Sequence, residues 1–265
     1  MKNSKGIVFK RQQYILKCLK ENNSVQVDDL AEKLQVSPTT IRRDLQIFEQ
    51  QNIVERFHGG AQLLEGNLKE DPAPDTLSPK SILQKHALAK YAASLIDDGD
   101  TIFINSSSTA LLILKYLVNK RVIVITNNGK AINAEKDPRV EIVLTGGEIY
   151  ERKQSMVGEF AMHTLTKITA NKTFIGVGGI SSRGGITTSV LQETPINEMM
   201  LKRCIGPCFV LAGSSKIGKQ HNFLSGSLDK ISTVITNKDA DEAELSLLRS
   251  KGIEIIELDP LDEII

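Results

Sequence analysis

Apolar positions recur at helical spacing three times within the first fifty residues. "RQQYILKCLKENN" offers Ile15, Leu16 and Leu19 as one packed face and breaks at Asn22-Asn23. "VDDLAEKLQV" offers Val27, Leu30, Ala31 and Leu34. After a short break at Gln35-Val36, "SPTTIRRDLQIFEQ" places Ile41, Leu45 and Phe48 at i, i+4 and i+7, the stripe of a helix that should end near Gln50. Ser37 followed by Pro38 marks its start. A serine oxygen accepts from the first free amides, and proline suits a position whose N–H has no partner. "NIVERFHGGAQLL" then gives two β-prone arms around His58-Gly59-Gly60, where a glycine pair supplies the positive φ of a tight hairpin. This order predicts a winged helix-turn-helix over residues 1–64.

The pattern lapses in "EGNLKEDPAPDTLSP", rich in proline and acid and poor in large apolar groups, which reads as a linker over residues 65–78. From residue 79 to 265 the rhythm alternates. "ILQKHALAKYAASLI" and "STALLILKYLVN" read as helical, while "TIFIN", "RVIVITNN", "VEIVLTGG", "KTFIGVGG", "CFVLAG", "STVIT" and "IEIIEL" read as strands. Near-continuous apolar strands are those covered on both faces. The expected fold class is therefore α/β, with the winged helix-turn-helix joined to a larger doubly wound, mostly parallel α/β domain.

The 265 residues are 40% hydrophobic and 25% charged, an ordinary globular balance with net charge +1. The whole chain is thus no polyanion binder, but residues 1–64 hold ten Lys and Arg against seven Asp and Glu, and the linker one against four. Modest basic character is confined to the first unit. No apolar run reaches the length of a membrane span and no signal peptide is apparent, so a cytoplasmic location is expected. Cys18, Cys204 and Cys208 are too few and oddly numbered for a disulfide framework. Cys204 and Cys208 lack the second pair that a structural zinc site needs, and His58, His86, His163 and His221 are scattered. Neither metal nor cofactor is expected.

At 100° per residue, Thr39, Arg42, Arg43, Gln46 and Gln50 cluster opposite the apolar stripe of the third helix. That face is either a solvated charged surface or one that meets an anion. In the larger unit, strands end in small polar residues or glycine. Asn105 runs into Ser106-Ser107-Ser108-Thr109, and the others end at Asn127-Asn128-Gly129, Gly146-Gly147, Gly178-Gly179 and Gly213-Ser214-Ser215-Lys216. Ligands of open α/β sheets bind beyond the carboxyl ends of the strands. The Ser-Thr cluster opens a helix, where free amides favour an anion such as phosphate, and Lys216 supplies a countercharge. The plain alternative is that these are turn residues, but five such loops at equivalent places favour a site. Glu148, Glu159 and Glu193 fall near its edge, with Glu193 a hydroxyl acceptor or a surface charge. The G-x-G-G at 176–179 lacks a full dinucleotide fingerprint, and no G-x-S-x-G elbow or Walker A loop appears.

"LAEKLQVSPTTIRRDLQIFEQQNIVERFHGGA" resembles the DeoR family of bacterial transcriptional regulators, with its helix-turn-helix, paired arginines and H-G-G-A wing. "FINSSST", "ITNN", "LTGGEI", "VGEFA", "GVGGI" and "SSKIGK" fall in the order of that family's C-terminal sensor, so the resemblance spans about residues 7–258. It implies a sensor similar in fold to ribose-5-phosphate isomerase and a repressor released by a phosphorylated sugar or related metabolite. Residues 79–265 then become an effector-sensing and oligomerisation domain. On this reading Ser37, Thr39, Thr40, Arg42, Arg43 and Gln46 meet double-stranded operator DNA in the major groove, while Arg56 and His58 of the wing lie against its backbone or minor groove. Asn105, Ser106, Ser107, Ser108, Thr109, Asn127, Gly146, Gly147, Gly179, Glu193 and Lys216 form the effector pocket. The working form is a dimer or tetramer.

Departures from the family pattern gather in that pocket. Asn105 stands where Asp is usual before the G-T-T loop, and Ser107 replaces the loop's glycine. Asn197 stands where Lys is common, Gly213 replaces the Asp of D-x-S-K, and Ser181 follows G-G-I where Asp is frequent. They imply a changed ligand or a weakened site. The competing expectation is a sugar-phosphate isomerase or transferase with a DNA-binding appendage, which would need a positioned general base among acids that are missing here. An oligomeric scaffold without a ligand is a third.

Overall fold

The computed structural model describes residues 11, 12, 14, 15, 18, 19, 22, 24–50, 54–57, 59–63 and 78–264. The chain forms two compact units, Met1–Ala73 and Pro74–Ile265.

In the first unit, helical residues that include Ile15 and Leu19 are followed by β1 (Ser24–Gln26), α1 (Val27–Leu34), α2 (Pro38–Gln50), β2 (Val54–Phe57) and β3 (Gly60–Leu63). Gln35 ends α1 in the left-handed region at φ 52°, and its N–H returns to Ala31 and Glu32, which makes the turn into α2 tight. The strands form a three-stranded antiparallel sheet in the order β1-β3-β2. The sequence pattern predicts the two arms β2 and β3 but not β1, whose three residues are too short to alternate visibly. A Cβ at Gly60 would lie 2.3 Å from the Val25 carbonyl oxygen, so only glycine lets β3 approach β1. Ile15, Leu19, Val27, Leu30, Ile41, Leu45, Phe48, Val54 and Ala61 close one core.

The second unit begins at α3 (Pro79–Ser94), whose first turn is capped where Ser81 N–H donates to Ser78 Oγ. There follow β4 (Thr101–Ile104), the short helices α4 (Ser108–Leu111) and α5 (Ile113–Tyr116), β5 (Val122–Thr126), β6 (Val140–Leu144) and the hairpin β7 (Glu148–Tyr150) and β8 (Ser155–Val157). Next come α6 (Gly158–Thr166), β9 (Lys172–Gly176), β10 (Gly179–Ser181), β11 (Gly185–Thr188), α7 (Thr194–Lys202), β12 (Cys208–Leu211), β13 (Phe223–Gly226), β14 (Thr233–Asn237), α8 (Glu242–Ser250) and β15 (Glu254–Leu258). Seven strands form one parallel sheet in the order β15-β14-β12-β9-β4-β5-β6.

Successive side chains of a strand face opposite sides, and the two cores divide accordingly. Ile102, Ile104, Val122, Val124, Phe174, Phe209 and Ile235 pack with α3, α4 and α5 on one face. Phe103, Ile125, Ile175, Val210 and Val234 pack with α6, α7 and α8 on the other. This is the doubly wound α/β architecture that the near-continuous apolar strands predict. The segment "STALLILKYLVN", read as one helix, is two four-residue helices. The hairpin β7–β8 and the separate antiparallel sheet β10-β11-β13 are not visible in the hydrophobic pattern, because β7 and β8 have only three residues each and β10, β11 and β13 are short and rich in Gly, Ser and Thr.

Strand order reverses between β4 and β9. From β4 the chain adds β5 and β6 on one side, and from β9 it adds β12, β14 and β15 on the other. The crevice at the carboxyl ends of β4 and β9 is the topological switch point, where open α/β sheets bind ligands.

Candidate functional site

The first unit presents a recognition-type helix. Ser37 Oγ accepts from the Thr40 amide at 3.2 Å and lies 2.9 Å from Thr40 Oγ1, so the cap expected from Ser37-Pro38 forms. Ile41, Leu45 and Phe48 are buried, whereas Ser37, Thr39, Arg42, Arg43 and Gln46 are exposed and Thr40 is half-buried. The arginines therefore point away from the core at the N-terminal half of α2. What fixes this orientation is Asp44, which spacing alone leaves unnoticed. It is 2% exposed, and its carboxylate takes Arg11 Nε at 2.6 Å, Arg11 Nη2 at 3.2 Å and Gln12 Nε2 at 3.0 Å. A buried ion pair closes only in one register, so it ties α2 to the helical residues that precede β1. Arg56, on β2, pairs with Glu49 at 2.9 Å. His58 lies outside the described residues.

The second site is built at the switch point. Asn105, just past β4, is 3% exposed and spans to β9 with both amide atoms. Its Nδ2 donates to the Gly176 carbonyl at 2.9 Å, and its Oδ1 accepts from the Gly176 N–H at 3.0 Å. The same Nδ2 lies 3.0 Å from Asn197 Oδ1 on α7, and Asn197 Nδ2 donates to Ser225 Oγ at 2.7 Å. Ser106 Oγ donates to Glu193 Oε1 at 2.6 Å, and Lys153 Nζ approaches Glu193 Oε2 at 3.3 Å. Glu193 is 3% exposed, so of the two readings left open by the sequence, hydroxyl acceptor or surface charge, the structure removes the surface charge.

Ser107 caps α4. Its Oγ accepts from the Thr109 and Ala110 amides at 3.1 and 3.3 Å, so two of the amides that make a helix start attractive to an anion are already satisfied. Gly176 is required opposite it, because a Cβ there would lie 1.8 Å from Ser107 Oγ. Ser108 is exposed and Thr109 buried.

Asn127 Nδ2 donates to the Met156 carbonyl on β8 at 3.1 Å, which draws the β7–β8 hairpin over the end of β5. Asn127 Oδ1 and Ser155 Oγ are buried with no partner among the described residues, and buried polar atoms are ordinarily paired with protein, water or ligand. Gly146 is exposed at φ 68°. Gly147 and Gly179 are packed against backbone rather than open. Their Cβ positions would fall 2.4 Å from the Val157 carbonyl oxygen and 2.3 Å from that of Lys219. Lys216 closes the single turn Ser214–Lys216 beyond β12 and is half-buried. His221 Nε2 lies 3.2 Å from the Gly178 carbonyl oxygen, and burial, then Lys219, pulls its pKa below the usual 6.5.

Asn105, Ser106, Ser107 and Glu193 are thus directly connected, whereas Gly146 and Lys216 lie beyond β6 and β12 and Gly179 opens β10. Sequence reasoning missed Lys153, which lies in the charged run "ERKQ" and reads as solvated until the hairpin is known. Among the described residues no group of His, Cys, Asp and Glu is arranged to hold a metal, and no helix is long and apolar enough to cross a membrane.

Residues 11–66 match the DeoR-like helix-turn-helix domain, and residues 80–238 match the DeoR C-terminal sensor domain. The chain is 30% identical over 249 residues to the lactose phosphotransferase system repressor of Streptococcus mutans, covering 93% of this chain and 98% of that protein. It is 31% identical over 243 residues to the HTH-type transcriptional repressor GlcR of Bacillus subtilis, covering 91% and 93%. It is 30% identical over 250 residues to a putative aga operon transcriptional repressor of Escherichia coli O157:H7, covering 93% and 92%. A ribose 5-phosphate isomerase A structure from Methanocaldococcus jannaschii aligns over 50% of this chain and 52% of its own, with 18% identity and a TM-score of 0.36.

Proposed function

Because the chain belongs to the DeoR family of helix-turn-helix transcriptional regulators, we propose that it represses genes of carbohydrate metabolism and leaves its operator when a phosphorylated sugar or related metabolite binds at the switch point. The observation that carries the reading is the face Thr39, Arg42, Arg43 and Gln46, exposed over a buried stripe and locked by Asp44. Arginine bidentate to guanine in the major groove, with serine and threonine at the helix start on phosphates, is the chemistry this face supplies. Arg56 reaches DNA only by exchanging Glu49 for phosphate. The linker read over residues 65–78 lies, apart from Ser78, outside the described residues, and the working form is a cytoplasmic homo-oligomer, since one small winged helix reads too few bases alone.

In the effector site, Ser106 and Glu193 serve sugar hydroxyls, Ser107, Ser108 and Thr109 approach the phosphate, and Lys216 adds charge. The protein is not an enzyme on this reading. The relatives that match over nine-tenths of this chain are repressors rather than isomerases. The test is operator binding by fluorescence anisotropy against a panel of sugar phosphates, with isomerase turnover assayed on the same panel. Specific operator binding weakened by one of them, without turnover, is the expected result. Absence of binding to any upstream DNA of its own operon, or turnover, overturns it.

A further inference from the structure

The turn of the β7–β8 hairpin is clamped to the loop after β5 and reaches from there to the head of α7. Lys153 N–H donates to the Tyr150 carbonyl at 3.2 Å and Gln154 N–H to that of Glu151 at 3.3 Å, which folds residues 151–154 tightly. Gln154 sits in the left-handed region at φ 55°, which a residue with a Cβ adopts only where its surroundings fix it. Gly129 fixes it. Its N–H donates to the Gln154 carbonyl at 2.8 Å, and a Cβ there would lie 2.7 Å from that oxygen. Met156 N–H donates to the Asn127 carbonyl at 2.7 Å, a second anchor on the same loop. From this turn Lys153 Nζ meets Glu193 Oε2 at 3.3 Å, while Ser106 Oγ, just past β4, holds Oε1 at 2.6 Å.

We propose that Lys153 and Glu193 form a latch that holds the hairpin closed over the switch-point crevice and takes one ligand hydroxyl between its charges, which makes Lys153 a specificity-determining residue of the effector site. The inference rests on the effector reading given above. An ammonium has more N–H donors than one contact uses, and a carboxylate oxygen accepts more than one hydrogen bond. A hydroxyl draws on both. Its oxygen accepts from Nζ, its proton goes to Glu193 Oε2, and the two charges stay compensated. A carboxylate or phosphate in that place would set a second negative charge against Glu193, which is 3% exposed. The latch therefore reads a neutral hydroxyl and leaves the ligand's anion to another part of the site.

A second acceptor stands on the same face. Ile104 pairs with Thr126, so Asn127 follows β5 in the register at which Asn105 follows β4. Asn105 faces Asn197 on α7, and residues in register share a side of the sheet. Asn127 gives its Nδ2 to the Met156 carbonyl, and its Oδ1 is buried with no partner among the described residues, as is Ser155 Oγ two residues beyond Lys153. A buried carbonyl oxygen needs a donor, which a hydroxyl supplies and an ionised acid does not. The chemistry on this face suits the polyhydroxyl part of a sugar or polyol monophosphate, in preference to a bisphosphate or a sugar acid.

Arg152 is exposed and Lys153 half-buried in the turn, so tryptic cuts there report whether the latch is shut. The full chain is digested with limiting trypsin, and the cuts after Arg152 and Lys153 are timed by mass spectrometry. Glu193→Gln keeps an acceptor for Ser106 but loses the ion pair, and should be cut after Lys153 about tenfold faster than wild type, the factor for one hydrogen bond to a charged group. Lys153→Met removes the other half of the latch and should speed the cut after Arg152 alike. The panel of sugar phosphates follows, with inorganic phosphate as control. A sugar phosphate that releases the operator should slow the wild-type cut, inorganic phosphate should not, and Lys153→Met should need about tenfold more of the sugar phosphate for release. Wild-type cutting rates in both variants, with circular dichroism showing both folded, overturn the latch. Equal slowing by inorganic phosphate, or equal release from Lys153→Met and wild type, overturns the hydroxyl contact. If no sugar phosphate releases the operator, the effector reading fails, and the latch is decided by the cuts alone.

Discussion

Asn105 Nδ2 lies 3.0 Å from Asn197 Oδ1, so two of the positions at which this chain departs from its family's usual residues touch each other. Where the family pattern has Asp and Lys, this protein has an amide pair. The amide pair is neutral, whereas an Asp and a Lys at these two positions would carry one charge of each sign. The amide form also suits Gly176, whose carbonyl needs the donor that a carboxylate lacks.

Asn105→Asp alone is expected to destabilise the sensor by about 1–3 kcal/mol, because a buried carboxylate then faces the Gly176 carbonyl and Asn197 Oδ1. Adding Asn197→Lys should recover part of the loss, with a coupling of about 0.5–3 kcal/mol. Denaturant unfolding of the four members of the cycle measures it. Strict additivity would show that the two positions do not compensate.

Replacing Arg42 and Arg43 together with Ala should abolish most specific operator affinity while leaving the fold intact, since both side chains are exposed. Each bidentate arginine–guanine contact contributes about 1–3 kcal/mol, and lost phosphate contacts flatten the salt dependence. Anisotropy titrations at two salt concentrations, with circular dichroism as control, decide it. Wild-type affinity in the folded double mutant would move the recognition surface elsewhere.

Gly176→Ala should cost about 1–3 kcal/mol, because its Cβ would meet Ser107 Oγ at 1.8 Å and force the α4 cap apart. Ser107→Gly, which restores the family's glycine, should make the same Ala tolerable. Thermal melts of the single and double variants read this directly, and an unchanged melting point for Gly176→Ala alone would contradict the packing.

His86 and His221 are expected to make the sensor acid-sensitive. His86 Nδ1 lies 2.6 Å from Tyr116 Oη, and burial, then Lys115, holds its pKa below 6.5; His221 is held low by burial, then Lys219. Below pH 6.5 the unfolded chain takes up protons that the folded chain refuses, so stability falls as pH drops from 6.5 through the folded pKa values. Above about pH 7.5 neither contributes an appreciable slope. Denaturant midpoints between about pH 7.5 and pH 5 should decline in wild type and decline less in a His86→Gln, His221→Gln double variant. Equal slopes would assign the acid response to other groups.

The sequence carries the recognition helix almost completely, because one amphipathic period and one Ser-Pro cap determine which residues face outward. It carries the parallel sheet because strands covered on both faces are written as unbroken apolar runs. The site is less legible. Ser106 and Glu193 meet only because α7 packs beneath the switch point, a contact between residues 87 apart that no local period encodes. Lys153 is hidden for the same reason, and Gly147 and Gly179 look like open pocket walls when their lack of a side chain serves close backbone packing. Asp44 shows the limit from the other direction, since a single acid in an amphipathic helix gives no sign that Arg11 will bury it.

The seam between β4 and β9 has a consequence for how the protein comes into being. The recognition helix and its wing are complete once the chain has passed Leu63, and their contacts are local in sequence. The sheet pairs Ile104 with Phe174, so the floor of the candidate site does not exist until synthesis has passed Gly176, and β15 closes the sheet only near the end of the chain. Local contacts form fast and distant parallel pairings slowly, and domains fold in the order they emerge. The DNA-binding unit is therefore finished before the sensor domain, and a chain interrupted between the two would carry a folded winged helix without the domain that follows it.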